Sequence, residues 1–149
     1  MSHTGASTPG RSTVEVEEAL TLAPKFDGHG LLTCVATDVN SGDVLMVAHM
    51  NAEALHRTIT MGEAWYFSRS RGALWRKGES SGYTQRVIEV RIDCDQDAIW
   101  IKVEQTGPGA CHTGRRSCFY RAVQLREDGS VTLEFRDGAR TFDPSAVYR

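Results

Sequence analysis

The sequence predicts an α+β domain in which strands dominate, and three observations predict it. Apolar residues recur along most of the chain in short runs of strand length. Two pairs of these runs flank turn-forming tetrapeptides, Asn40-Ser41-Gly42-Asp43 and Glu127-Asp128-Gly129-Ser130. A single segment between the runs carries both a helix start and a helix stop. With 149 residues, 40% of them hydrophobic and 24% charged, the chain fits one domain with a core of its own, and two full domains would be cramped.

The elements follow in order. Residues 1–13 are rich in Ser, Thr and Gly and lack the apolar stretch of a secretory signal, so they are expected to form a flexible tail, with a single domain over residues 14–149. The runs at 31–39 and 44–50 read as a β-hairpin. Asn51 then offers an N-cap, Glu53 sits where the helix dipole favours an acid, and Gly62 offers a stop. The result is one main helix of about three turns, with Ala54, Leu55, Thr58 and Ile59 as its buried stripe. Strands are expected again at 64–67, 86–92, 98–103, 118–125 and 131–135. Between them, 68–84 and 104–117 are long connections, and long connections inside a small domain are usually functional.

A formal net charge of -2 argues against a general nucleic-acid binder, so any anion site must be local. No apolar run approaches the roughly 20 residues of a membrane helix, and a soluble cytoplasmic protein is expected. In a reducing compartment the four cysteines, Cys34, Cys94, Cys111 and Cys118, point to metal ligation or catalysis more than to disulfides.

Asp93, Asp95 and Asp97 stand at alternate positions after the run Val87-Ile88-Glu89-Val90-Arg91-Ile92. In an extended chain this spacing puts the three carboxylates on one face and Cys94 on the other. Oxygen ligands crowded in this way suit a hard cation such as Mg²⁺. The same residues with Glu104 fall at positions 1, 3, 5 and 12 of a calcium-binding EF-hand loop, but Ala98 replaces the required Gly and the flanks read as strands. A solvated acidic turn without metal is the simpler alternative.

Cys111-His112-Thr113-Gly114-Arg115-Arg116-Ser117-Cys118 carries two soft ligands across a Gly-containing loop, and Cys94 makes a third thiol available. Zinc held by three protein ligands with one open position is of the catalytic kind. Cys34, within Leu32-Thr33-Cys34-Val35-Ala36, reads as a small buried hydrophobe. Three thiolates blunt the Lewis acidity of Zn²⁺, so a bound water needs help from a neighbouring base or cation. His112 is placed to be that base; it could equally be a loop histidine or a fourth ligand that closes the site. Inert thiols, or Cys111 acting as a nucleophile, are the rival readings.

From Ser68 to Lys77 the chain carries Arg69, Arg71, Arg76 and Lys77 before its next acid, Glu79. Arginine forks match phosphate oxygens, Ser68, Ser70 and Ser81 add donors, and Trp75 could cover a base or a sugar. Arg115 and Arg116 could add to the same field. A solvated basic loop is the alternative, and there is no Walker loop.

Taken together, Asn51-x-Glu53-Ala54-Leu55, Ser68-Arg69-Ser70-Arg71-x-x-Leu74-Trp75-x-Lys77-Gly78-Glu79-x-Ser81-Gly82, Asp93-Cys94-Asp95-x-Asp97, and Gly107 through Cys111-His112-Thr113-Gly114 to Ser117-Cys118-Phe119 resemble the phosphoribosyl-AMP cyclohydrolase family. The resemblance covers residues 31–121. It implies an intertwined homodimer in which Cys94 of one subunit and Cys111 and Cys118 of the other hold zinc, and in which Asp93, Asp95 and Asp97 hold Mg²⁺. It implies hydrolysis of the N1–C6 bond of the adenine ring of phosphoribosyl-AMP, in histidine biosynthesis. Water activated by zinc would attack C6 while His112 takes and returns the proton. Ser68, Arg69, Ser70, Arg71, Trp75, Lys77, Glu79 and Ser81 would bind this substrate. Two other classes remain in view: a structural-zinc module that binds an anionic partner, and another zinc nucleobase hydrolase. The signature of the zinc deaminases is missing.

Overall fold

In the computed structural model, which describes residues 13–137 and 140–147, strands dominate and helices are few. The order is α1 (Thr13–Glu18), β1 (Leu32–Asp38), β2 (Val44–Met50), α2 (Ala52–Met61), β3 (Trp65–Ser68), β4 (Ala73–Arg76), β5 (Gln85–Ile92), β6 (Ala98–Gln105), β7 (Arg121–Leu125), β8 (Val131–Phe135) and α3 (Pro144–Val147). Residues 1–12 of the expected tail lie outside the described residues, and Thr13 opens α1.

Four strands form the main sheet in the order β2-β1-β6-β5. The β1–β2 and β5–β6 pairs are antiparallel, whereas β1 and β6 run parallel. Alternation buries Leu32, Cys34 and Ala36 of β1 beside Ile99, Ile101 and Val103 of β6, and that shared face is the centre of the core. The β1–β2 register shifts between Ala36 and Thr37, where Leu45 is the extra residue of a bulge.

The helix α2 is built by local chemistry. Asn51 accepts from the Ala54 amide at 2.8 Å, and Gly62 closes the helix at φ 74°, a left-handed conformation that suits a residue without Cβ. Ala54, Leu55 and Thr58 are buried, but Ile59, expected in the same stripe, is 46% exposed. Thr58 lies one residue nearer the core, where its hydroxyl accepts from the Trp65 amide at 2.9 Å and bonds the Ala54 carbonyl at 2.8 Å.

Two hairpins stand apart from the main sheet, β3–β4 and β7–β8. The first was not expected, because β4 falls inside the stretch read as a long connection. The second begins at Arg121 and not at Cys118, because the Cys118 amide is spent on Leu45. Val123, Leu125, Val131, Leu133 and Phe135 of this second hairpin are all exposed. Among the described residues, no helix is long and apolar enough to cross a membrane.

Candidate active site

The cationic segment forms a hairpin and not a loose loop. Ser68 pairs with Ala73, so residues 69–72 are its turn, closed by Gly72 at φ 60°. The Ser68 hydroxyl accepts from the Arg71 amide at 3.2 Å and lies 3.3 Å from the Ser70 hydroxyl. Beside this turn lies a cleft of about 610 Å³ lined by Ala48, His49, Phe67, Ser68, Arg69, Ser70, Arg71 and Trp75. A smaller cleft of about 160 Å³ is lined by Arg71, Trp75, Arg76, Lys77, Gly78, Glu79, Ser80 and Ser81. All eight residues expected to bind substrate therefore line one or both clefts. Among the described residues neither Arg69 nor Arg71 pairs with a carboxylate, which leaves two cations for an anionic guest.

His49 in the larger cleft was missed. The only signal was a polar residue within the apolar run Val44-Leu45-Met46-Val47-Ala48-His49-Met50. Burial and then the charge of Arg69 push its imidazole below the ordinary histidine value, against the opposing pull of Asp27.

Other members of the segment bond to the protein's own backbone. Glu79 accepts from the Arg76 amide at 2.8 Å, and Ser81 accepts from the Tyr83 amide at 3.1 Å. Lys77 is buried at 7% exposure, and its ammonium donates to the Ala110 carbonyl at 2.6 Å. Gly78 follows at φ 91°, where an added Cβ would lie 2.6 Å from the Thr84 amide nitrogen, so only glycine admits this backbone crossing.

The contact from Lys77 to Ala110 joins the hairpin to the thiol loop. In that loop the Cys111 amide donates to Arg115 and the Gly114 amide donates to Cys111, forming a tight turn. The Cys118 amide donates to the Leu45 carbonyl at 2.8 Å, and the Ser117 hydroxyl donates to the Val44 carbonyl at 2.7 Å. These carbonyls belong to the bulged stretch of β2, an outer strand of the main sheet. Cys111 is buried and Cys118 exposed, and the two thiols interact: partial burial of the Cys118 sulfur, followed by the charge of Cys111 and a hydrogen bond to it, pushes the Cys118 thiol up to about 12, with Lys77 pulling the other way. Two adjacent soft donors fit zinc. His112, the neighbour of Cys111 in the chain, is exposed.

Cys94 does not join them within one chain. It lies in the turn between β5 and β6, beyond the end of the sheet where β2 finishes, whereas Cys118 is bonded to Leu45 near the start of β2. Cys34 is wholly buried, and burial pushes its thiol up to about 12, as expected of an inert core residue. Arg115 and Arg116 line neither cleft. Arg116 is spent on Asp38 at 3.1 Å and Asp43 at 2.8 Å, and Arg115 lies over the Tyr120 ring at 4.1 Å.

The acidic turn brings its three carboxylates within 4.8 Å of one another, by a different geometry from the one expected. The chain is not extended there. Asp93 accepts from the amides of Asp97 and Ala98, both at 3.0 Å, and Gln96 takes φ 60°. Gln96 is held so because its side chain accepts from Ala23 at 2.7 Å and its carbonyl from Lys25 at 2.6 Å. Asp95 Oδ1 is shielded and has no hydrogen-bond partner, and Asp97 is pushed up to about 6 by its bonds to Asp95 and Asp93 and then by burial. An orphaned oxygen among crowded carboxylates fits a divalent cation.

Comparison with known proteins identifies the family. The family model of phosphoribosyl-AMP cyclohydrolase matches residues 46–120. A phosphoribosyl-AMP cyclohydrolase of Bradyrhizobium diazoefficiens is 70% identical over 135 residues, covering 91% of this chain and 95% of that protein. One of Rhodopseudomonas palustris strain BisB18 is 64% identical, covering 96% and 97%, and one of Nitrobacter winogradskyi is 66% identical, covering 93% and 95%. The segment matched by the model contains both clefts' hairpin, the acidic turn and the thiol loop, and the relatives align along almost the whole chain: the chain belongs to the phosphoribosyl-AMP cyclohydrolase family.

Proposed function

We propose that the chain hydrolyses the N1–C6 bond of the adenine ring of phosphoribosyl-AMP, giving the ring-opened formimino-imidazole carboxamide nucleotide, in the histidine pathway of the cytoplasm. The observation that carries this reading is the link between the Cys111–Cys118 loop and the smaller cation-lined cleft through one side chain, Lys77, with Arg71 and Trp75 shared by both clefts. A substrate with two phosphoribosyl groups presents anionic charge at both ends. Arg69 with Ser68 and Ser70, and Arg71 at the junction of the clefts, are placed to receive it, and Trp75 offers a face for a ring.

Cys94 of a second copy would complete the donor set, which makes the working unit a homodimer. The exposed apolar strands β7 and β8 support it, since a two-stranded hairpin with this much bare apolar surface needs cover. Zinc, when bound, supplies the Lewis acidity that readies a water for attack at C6. His112, exposed and next to Cys111 in the chain, would take a proton from the attacking water and return it to N1 as the N1–C6 bond breaks. Asp93, Asp95 and Asp97 would hold Mg²⁺, and we assign them to orienting a phosphate. A turnover assay on phosphoribosyl-AMP, with metal analysis of the same sample, tests the reading; zinc-loaded protein without ring opening would replace it by a structural-zinc module.

Two results are expected at this site. His112→Ala should keep its zinc and lose about 10²-fold or more in kcat, the share of a general base; loss of zinc with the rate would make His112 a ligand. Arg71→Ala should raise KM with little change in kcat, as removal of uniform binding does; an unchanged KM would remove it from the phosphate site.

A further inference from the structure

Lys77 is a full charge placed where a charge is costly. Its ammonium is buried, donates to the Ala110 carbonyl at 2.6 Å and lies 5.8 Å from the centre of the Trp75 ring. Among the described residues no carboxylate pairs with it. A carbonyl and a ring face offer partial charge only, and a buried ammonium without a counter-charge is strongly unfavourable. Burial duly pushes Lys77 below its ordinary value; the groups that pull it back up are Cys118 and Cys111.

The backbone holds this arrangement from both sides. The Lys77 amide donates to the Ala64 carbonyl at 3.0 Å, in the core, and Gly78 makes the close crossing against Thr84. The side chain lines the smaller cleft and ends anchored on the thiol loop, at the Ala110 carbonyl. Three thiolates around one divalent ion leave a net charge of minus one, and that excess weakens the ion as a Lewis acid. One fixed ammonium cancels it.

We propose that Lys77 is a positioning residue for the metal centre, the built-in counter-charge of the Cys111–Cys118 thiolate pair and the anchor of Ala110 next to it. The proposal rests on the zinc reading above and separates Lys77 from the phosphate-binding cations Arg69 and Arg71.

The test is zinc affinity, measured by competition with a chromophoric chelator, for the wild type and for Lys77→Gln, Lys77→Met and Lys77→Arg. The Gln and Met variants should bind zinc about 10-fold or more weakly, the loss that follows removal of a partner behind the ligands, and Arg should restore much of it. In the same variants kcat should fall while KM for phosphoribosyl-AMP stays within about threefold, whereas a phosphate contact would raise KM. Folded Gln and Met variants with wild-type zinc affinity would overturn the proposal. If neither folds, the wild type decides: the chain has three lysines, Lys25, Lys77 and Lys102, so the Lys77 ammonium can be followed by ¹⁵N NMR. It should be protected from solvent exchange and should shift on addition of zinc, and a signal that stays put would overturn the proposal. Failure of the wild type to bind zinc would instead remove the zinc reading itself.

Discussion

Cys118→Ser should cost the protein its zinc and its turnover together, with a fall in rate of about 10³-fold or more, since several kcal/mol of Lewis-acid stabilisation translate at tenfold per 1.4 kcal/mol. The backbone at this position is pinned to the edge of β2 through the Cys118 amide and the Ser117 hydroxyl. Serine preserves those bonds, so the fold should survive and only the soft donor is lost. Cys111→Ser should behave alike, and Cys34→Ser should leave the metal in place, because that thiol is sealed in the core. The position of Cys94 at the other end of the sheet makes a sharper version possible. Subunits carrying Cys94→Ser and Cys118→Ser, each inactive alone, would on refolding together form mixed dimers with one of two sites fully cysteine-built. Statistical mixing then restores about a quarter of wild-type activity if the sites are shared across a two-fold interface. No recovery on mixing would place all the ligands in one chain, and retained zinc with full activity in Cys118→Ser would end the mechanism.

What was legible in the sequence was what local chemistry decides. Asn51 and Gly62 bound α2 because a cap and a left-handed stop act within a turn of themselves. The hairpin β1–β2 and the strands β5, β6 and β8 followed from alternation and turn residues. The strand β4 was hidden because four residues among cations carry little periodicity, although Gly72 after Ser70-Arg71 was the signal for a hairpin turn. Non-local pairings were out of reach. Nothing near Gln96 announces that residues 21–25 will hold it at positive φ and so curl the acids together. Nothing near Arg116 announces that Asp38 and Asp43 will claim it. The parallel pairing of β1 with β6, which sets Cys94 at the other end of the sheet from Cys118, joins segments more than sixty residues apart.

The acidic turn gives the second large effect, and its pH dependence can be signed. Bonds to Asp95 and Asp93 raise Asp97 from 3.8 to about 6, so between those values the folded chain holds a proton that the unfolded chain has released. Stability contributed by this turn is therefore lost as pH rises through about 6, where the third carboxylate ionises against the other two. A divalent cation reverses that repulsion, and it competes with the proton for the same oxygens. Mg²⁺ or Mn²⁺ should accordingly raise Tm little at pH 5 and clearly at pH 7.5. Asp95→Asn removes a negative charge from the centre of the cluster and replaces a carboxylate ligand by a neutral, weaker amide oxygen. The metal-free variant should be the more stable at pH 7.5, should lose the cation-dependent rise in Tm, and should bind Mg²⁺ about 100-fold more weakly or worse, beyond the range seen for partners behind the ligands. If the cluster orients a phosphate, kcat/KM should fall with it and should not recover on adding zinc. A cation-dependent rise in Tm of equal size in wild type and variant would show that the turn is a solvated acidic corner and nothing more.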